Sequence, residues 1–109
     1  MLNQVVLVGR LTKDVEIEKK GEKDFAILNL AIPRSFKNAD GEYDTDFINC
    51  VLWNGIAQNT SEYCKKGDIV GIKGRLQSSN YEDENGNKIF KMEVVAEKVT
   101  FLSSKKNDE

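Results

Sequence analysis

An all-β fold carrying one short helix is predicted by three features of this 109-residue chain. Five stretches read as strands, most with side chains that alternate between apolar and polar. Turn signals, Asp40-Gly41 and Asn85-Gly86, stand between pairs of them. One stretch, beginning at Asn54, changes to helical spacing. The composition is that of a globular chain, with 39% hydrophobic residues, 31% charged residues and one proline. Residues 1–103 are expected to form one domain and residues 104–109 a short disordered end.

The first strand runs from Leu2 to Leu11, where Gly9 breaks the alternation and marks a bulge or sharp bend. After the polar segment Lys19 to Asp24, a second strand covers about Phe25 to Ser35, and Asp40-Gly41 turns the chain into a third, Tyr43 to Trp53. Ile56, Thr60, Tyr63 and Cys64 then share one helical face. Asn54 can cap that helix, and Gly67 follows Lys65-Lys66 as its stop signal. A fourth strand, about Asp68 to Tyr81, leads through Asn85-Gly86 to a fifth, about Lys88 to Leu102. Three strands, a helix and two strands is the order of an OB-fold, a five-stranded Greek-key barrel. The same elements also suit an open α+β sheet.

Function is carried by side-chain parity. In Asp46-Phe47-Ile48-Asn49-Cys50-Val51-Leu52-Trp53, Ile48, Cys50 and Leu52 can enter a core while Phe47, Asn49 and Trp53 face away. Along the fourth strand Val70, Ile72 and Leu76 share one parity, and Lys73, Arg75, Gln77, Ser79 and Tyr81 the other. Phe36 lies between Arg34 and Lys37. Rings beside cations and amides, with almost no carboxylate, suit stacked bases and phosphates, the sequence-tolerant way to hold single-stranded nucleic acid. The plainer alternatives are that Trp53 and Phe36 belong to the core or an interface, that Tyr81 pairs across strands with Phe90, and that Lys65-Lys66 favours a helix end.

Net charge, at −2, requires any cations that meet phosphate to be concentrated on one surface. The acidic clusters Asp40 to Asp46 and Glu82 to Glu84 fall in expected turns, away from such a surface. With no histidine, no phosphate-cradling glycine loop and no nucleophile motif, the residues point away from an enzyme. Neither a metal site nor a cofactor is expected, and Cys50 and Cys64 read as buried thiols. The apolar start is too short to span a bilayer and lacks a signal peptide's basic opening, so a cytoplasmic, nucleoid-associated protein without membrane contact is expected.

Several separated segments together resemble the bacterial single-stranded DNA-binding proteins, particularly the Gram-positive type. They are Asn3 to Leu11, Arg34-Ser35-Phe36-Lys37-Asn38, Asp46 to Trp53, Lys66-Gly67, Gly74-Arg75-Leu76-Gln77, Asn80-Tyr81-Glu82 and Thr100-Phe101-Leu102. The resemblance implies an OB-fold subunit of a homotetramer, with bases stacked on Phe36, Phe47, Trp53 and Tyr81. Lys66 matches a basic position of the family, and Arg34 and Lys37 are implied phosphate contacts, joined on the outward faces by Asn49, Lys73 and Arg75. The first strand, with Leu2, Gln4, Val6 and Val8, resembles the segment that pairs subunits. The implied roles are protection of single-stranded DNA in replication, recombination, repair or uptake. The alternative is an interaction subunit of a DNA-processing assembly whose aromatic face grips a protein.

Three departures from the family pattern stand out. Gln77-Ser78-Ser79-Asn80 occupies a stretch that is commonly arginine-bearing, which implies a shallower salt response. Val15 stands where a proline is common, and Pro33 before Arg34 is expected to distort the second strand. Ser103 to Glu109 lacks the long linker and acidic tip with an apolar terminus, so tail-mediated recruitment of replication proteins is not expected.

Overall fold

The computed structural model describes residues 1–104. Six strands, β1 (Val5–Leu11), β2 (Glu18–Lys20), β3 (Lys23–Lys37), β4 (Tyr43–Trp53), β5 (Ile69–Glu82) and β6 (Lys88–Ser103), and one helix, α1 (Asn54–Tyr63), occur among them. The sheet runs β1-β5-β6-β4-β3-β2, and β1 also pairs with β3 at Arg10↔Ala31 and Leu11↔Leu30. That second pairing closes five strands on themselves, with β4 and β6 parallel and the other neighbours antiparallel. The result is the expected OB-fold order, not an open sheet. The short β2, read from sequence as a polar connection, pairs with the start of β3 as an added edge.

Alternation explains the core. On β3, Ala26, Leu28 and Leu30 are fully buried, and on β4 Cys50 and Leu52 meet them across the ladder Leu28↔Cys50 and Ala26↔Leu52. Val70 and Ile72 from β5 and Val94 and Ala96 from β6 complete the filling. Burial pushes the Cys50 thiol up to about 11, and desolvation also raises Cys64, next to the carboxylate of Asp68. Both cysteines are free and buried, as expected.

Glycine settles two close approaches. A Cβ on Gly74 would lie 2.2 Å from the Val95 carbonyl oxygen, where the β5–β6 register shifts after Lys73. At Gly9 no bulge occurs, since the β1–β5 register is continuous; a Cβ there would meet Ile32 at 2.7 Å and the Ala31 carbonyl at 2.8 Å. Gly9 therefore lets β1 come close enough to β3 to close the barrel.

Five local expectations need correction. Asn54 does not cap α1: Trp53 holds the cap position without a side-chain bond, while Asn54 sits at φ 50 and its Oδ1 accepts the Asp24 N–H. The buried helical face is Ala57 and Thr60, whereas Tyr63 is exposed. Gly67, at φ 93, turns the chain three residues after the helix's C-cap residue Cys64, where the buried Asp68 accepts the Lys65 N–H. Leu76 is exposed, because the β5–β6 hairpin runs past the end of the barrel and its inner face loses its partner there. Leu2 to Gln4 precede β1, and the Asn3 side chain instead brackets the backbone N–H and C=O of Leu76. The bend anticipated at Pro33 is present, since the β3–β4 register breaks between Pro33 and Lys37. Of the expected disordered end, residues 105–109 lie outside the described residues.

Leu52→Ala is expected to lower unfolding stability by about 2–5 kcal/mol. Phe47→Ala, on the exposed side of the same strand, should change it by no more than about 0.5 kcal/mol. Urea unfolding of both variants checks the assignment of faces, and the reverse ranking would contradict it.

Candidate nucleic-acid interface

The outward face of the β3–β4 ladder is laid out in rows by its register: Phe25↔Trp53, Ile27↔Val51, Asn29↔Asn49 and Ala31↔Phe47. At one end Phe25 and Trp53 pack with centroids 5.7 Å apart and planes tilted by 40°, and the Lys23 ammonium stands 5.9 Å from the Trp53 ring. Trp53 is half-buried, so one part of it is anchored while another stays available. A groove of about 480 Å³ opens here, lined by Phe25, Ile27, Val51 and Trp53 from the β3–β4 ladder and by Ser79 and Tyr81 from β5. Lys20 and Lys91 border the groove.

Strand order explains how Trp53 and Tyr81 meet. β6 lies between β4 and β5, so the surfaces matched in the sequence are separated by one strand. That strand adds Lys91 and Glu93 to the groove, and Glu93 is a carboxylate the sequence reading did not place there. It faces Lys91 at 3.6 Å, so one of the two lysines lining the groove stands against a carboxylate. Tyr81 opposes Ile89, while Phe90 opposes Asn80 on the other face of the hairpin, so the alternative Tyr81–Phe90 pair does not form.

Beyond the groove the row of amides is fixed by a relay. The Thr12 hydroxyl donates to Asn29 Oδ1 at 2.7 Å, and Asn29 Nδ2 donates to Asn49 Oδ1 at 2.7 Å. Asn49 Nδ2 takes no part in the relay, and the residue is exposed. Phe47 follows, with 66% of its surface exposed. From Trp53 to Phe47 the strand spans about 20 Å at roughly 3.3 Å per residue. A smaller cavity of about 210 Å³ adjoins Ala31, the register partner of Phe47, and is bordered by Arg10 and Lys66. The Lys66 backbone is held by Asp14 at 2.7 Å, and Arg10 Nη1 donates to the Gly67 carbonyl at 2.7 Å.

The remaining expected residues are placed differently. Phe36 is exposed on β3 within the register break between Pro33 and Lys37, outside the groove. Lys37 stands 5.9 Å from the Tyr43 ring, and the Arg34 guanidinium faces Asp46 at 2.9 Å. Arg75 points outward but is engaged by Glu97 at 3.3 Å and by Gln77 at 3.0 Å. Lys73 lies beside Val6 and Lys98, on the β1–β5–β6 face away from the rings. Val6 and Val8 are exposed on that face, as Leu2 is ahead of it. Sequence reasoning missed Phe25, Lys20, Lys23 and Lys91. The parity of β3 could have found Phe25, because it alternates with Ala26, Leu28 and Leu30.

Polar contacts lock the rim. The N–H of Asp24 reaches Asn54, its carboxylate meets Lys19 at 2.6 Å and accepts from Gln58, so β2, β3 and α1 are tied together beside Trp53. Asp83 similarly accepts the N–H groups of Asn85 and Asn87 at 2.9 Å and organises the β5–β6 turn. Hydrogen bonds from Lys19 and Gln58 hold the Asp24 carboxyl below its ordinary value of 3.8, Arg34 does so for Asp46, and the backbone of Asn87 does so for Asp83. Among the described residues no group of carboxylates and thiols could hold a metal ion, and no helix is long and apolar enough to cross a membrane.

Comparison with known proteins gives a consistent result. The model of the single-strand binding protein family matches residues 2–102. The chain is 47% identical over 106 residues to Single-stranded DNA-binding protein B of Bacillus subtilis, covering 96% of this chain and 94% of that protein. It is 46% identical over 108 residues to Single-stranded DNA-binding protein 1 of Streptococcus pyogenes, covering 98% and 83%. With Single-stranded DNA-binding protein 2 of Listeria monocytogenes it shares 48% identity over 109 residues, covering 99% and 68%.

The three depressed carboxyls set an acid limit. Each has a folded value below its unfolded one, so its contribution to stability is complete above about pH 4 and is lost as pH falls through the folded value. Thermal melts between pH 6 and pH 2 should show Tm falling below about pH 4, with a shallower fall for Asp24→Asn, which has already lost one contribution. A Tm independent of pH across that range would contradict the assignment.

Proposed function

The chain belongs to the single-strand binding protein family, and on that premise we propose that it binds single-stranded DNA along the outward wall of its barrel, without catalysis and with tolerance of sequence. The observation that carries this reading is the groove shared by Trp53 and Tyr81, continued along β4 through Asn49 to Phe47. Bases stack on the rings, and the sequence tolerance follows because every base offers a π-face. Phosphates are met by cations at the rim: Lys20 and Lys91 at the groove, and Lys66 near Phe47. Phe36, Lys37 and Arg75 extend the contact onto the hairpins, and Asn49 supplies amide donors between the rings. Lys73 belongs to a separate surface in this reading.

That separate surface supports self-association. Val6 and Val8 leave apolar area exposed, and β1 pairs with β5 along one side but with β3 only at Arg10 and Leu11 along the other. An edge of this kind is stable in water when a second copy covers it, and a homotetramer built partly on it brings several grooves onto one strand. A protein that coats DNA in this way acts in the cytoplasm, where replication, recombination and repair expose single strands.

Titration with oligo(dT) is expected to quench Trp53 fluorescence, with log K falling against log salt by roughly 0.7 per neutralised phosphate. Phe47→Ala and Tyr81→Ala should each weaken binding by about 1–3 kcal/mol while the circular dichroism stays unchanged. Absence of quenching with micromolar protein at low salt would overturn the proposal.

A further inference from the structure

We propose, on the reading that the aromatic wall binds single-stranded DNA, that Asp46 gates Arg34: its carboxylate occupies the guanidinium as an internal phosphate mimic, which a strand must displace before Arg34 can contact it. The geometry is that of an anion already bound. Arg34 Nη2 lies 2.9 Å from Asp46 Oδ1, and Nε lies 3.2 Å from Oδ2, so one edge of the guanidinium faces both carboxylate oxygens. Its other terminal nitrogen, Nη1, stands 3.8 Å from Asp44. Asp44 is itself held by the Asn38 side chain at 3.0 Å, and Asn38 Oδ1 accepts the N–H groups of Asp40 and Glu42 that form the hairpin tip. The tip thus holds Asp44 beside the cation that Asp46 engages from the ladder.

Position makes the pairing relevant to the ligand. Arg34 comes two residues before Phe36, and Asp46, which opposes Ile32, leaves β4 on the face opposite to Phe47, so of the two rings it is Phe36 that the pair adjoins along the chain. A phosphate of a strand that reaches Phe36 presents a pair of acceptor oxygens, as Asp46 does, and a guanidinium binds either in bidentate fashion. The exchange is accessible, because the Arg34 and Asp46 side chains are 44% and 46% exposed, and ion pairs so open to water are weak. Between residues 34 and 46 the hairpin carries four carboxylates, Asp40, Glu42, Asp44 and Asp46, against the two cations Arg34 and Lys37. A phosphate that entered without displacing Asp46 would meet net negative charge.

Arg34 is in this account a contact with little net effect in the native chain, released when the neighbouring carboxylate is neutralised. The test is a double-mutant cycle on the full chain with Arg34→Ala, Asp46→Asn and the pair, each titrated with oligo(dT) at several salt concentrations. Arg34→Ala alone should change Kd by less than about 2-fold. Asp46→Asn should tighten binding by about 8-fold at about 50 mM monovalent salt and steepen the log–log slope by about 0.7, the contribution of one additional phosphate contact. Adding Arg34→Ala to Asp46→Asn should remove both gains, and Arg34→Gln should do the same while retaining a polar side chain at the hairpin. Tightening by Asp46→Asn that persists without Arg34 would reduce the effect to general charge repulsion and overturn the gate. Equal weakening by Arg34→Ala in both backgrounds would place Arg34 on phosphate from the start and also overturn it. A native chain that neither binds nor quenches would remove the underlying reading and the gate together, whereas native binding without coupling would remove the gate alone.

Discussion

The ladder between β3 and β4, nine consecutive register pairs from Phe25↔Trp53 to Pro33↔Thr45, is the constraint on which the rest of the molecule depends. Its even positions on both strands turn inward, and its odd positions turn outward. A slip of one residue would place Trp53 and Phe47 in the barrel and expel Leu52 and Cys50 to water. The same hydrogen bonds that hold the core therefore set the spacing of the rings. Closure by β1, made possible by the absence of a side chain at Gly9, keeps this ladder curved and rigid.

Charge is organised over shorter distances than the net value of −2 suggests. Several carboxylates are engaged: Asp83 organises the β5–β6 turn, Asp24 ties β2 and β3 to the helix, and Glu93 answers Lys91, while the Asn38 amide organises the β3–β4 turn. Lys20, Lys23 and Lys91 gather around Trp53, while Arg10 and Lys66 gather near Phe47. In the proposed reading, with exposed ion pairs contributing little, the aromatic surfaces would dominate affinity and the cations would set reach and salt sensitivity.

Much of this was legible in the sequence because alternation is local. Tyr43 to Trp53 reads as a strand with the observed limits, and the aliphatic and aromatic positions within it sort onto the faces they occupy. The order of strands and helix suits the barrel but also an open α+β sheet, and the β1–β3 pairing decides between them. What local pattern could not show is which strands become neighbours. β6 falls between β4 and β5, so Lys91 and Glu93 entered the groove unannounced, and Lys73, in phase with Arg75, ended on another surface. Capping was misread for a related reason: Asn54 is suited to a cap, but tertiary contact uses its side chain to hold Asp24. Leu76 carries a core residue's parity in a hairpin that outruns its core.

The central claim is that the outward wall of β4, with Trp53 and Phe47 at its two ends, is where a strand lies. Photocrosslinking with an oligonucleotide carrying 5-iododeoxyuridine, followed by mass spectrometric identification of the joined residues, tests it most directly. The account predicts adducts at Trp53, Tyr81 and Phe47. Adducts confined to the face bearing Val6, Val8 and Lys73 would contradict it.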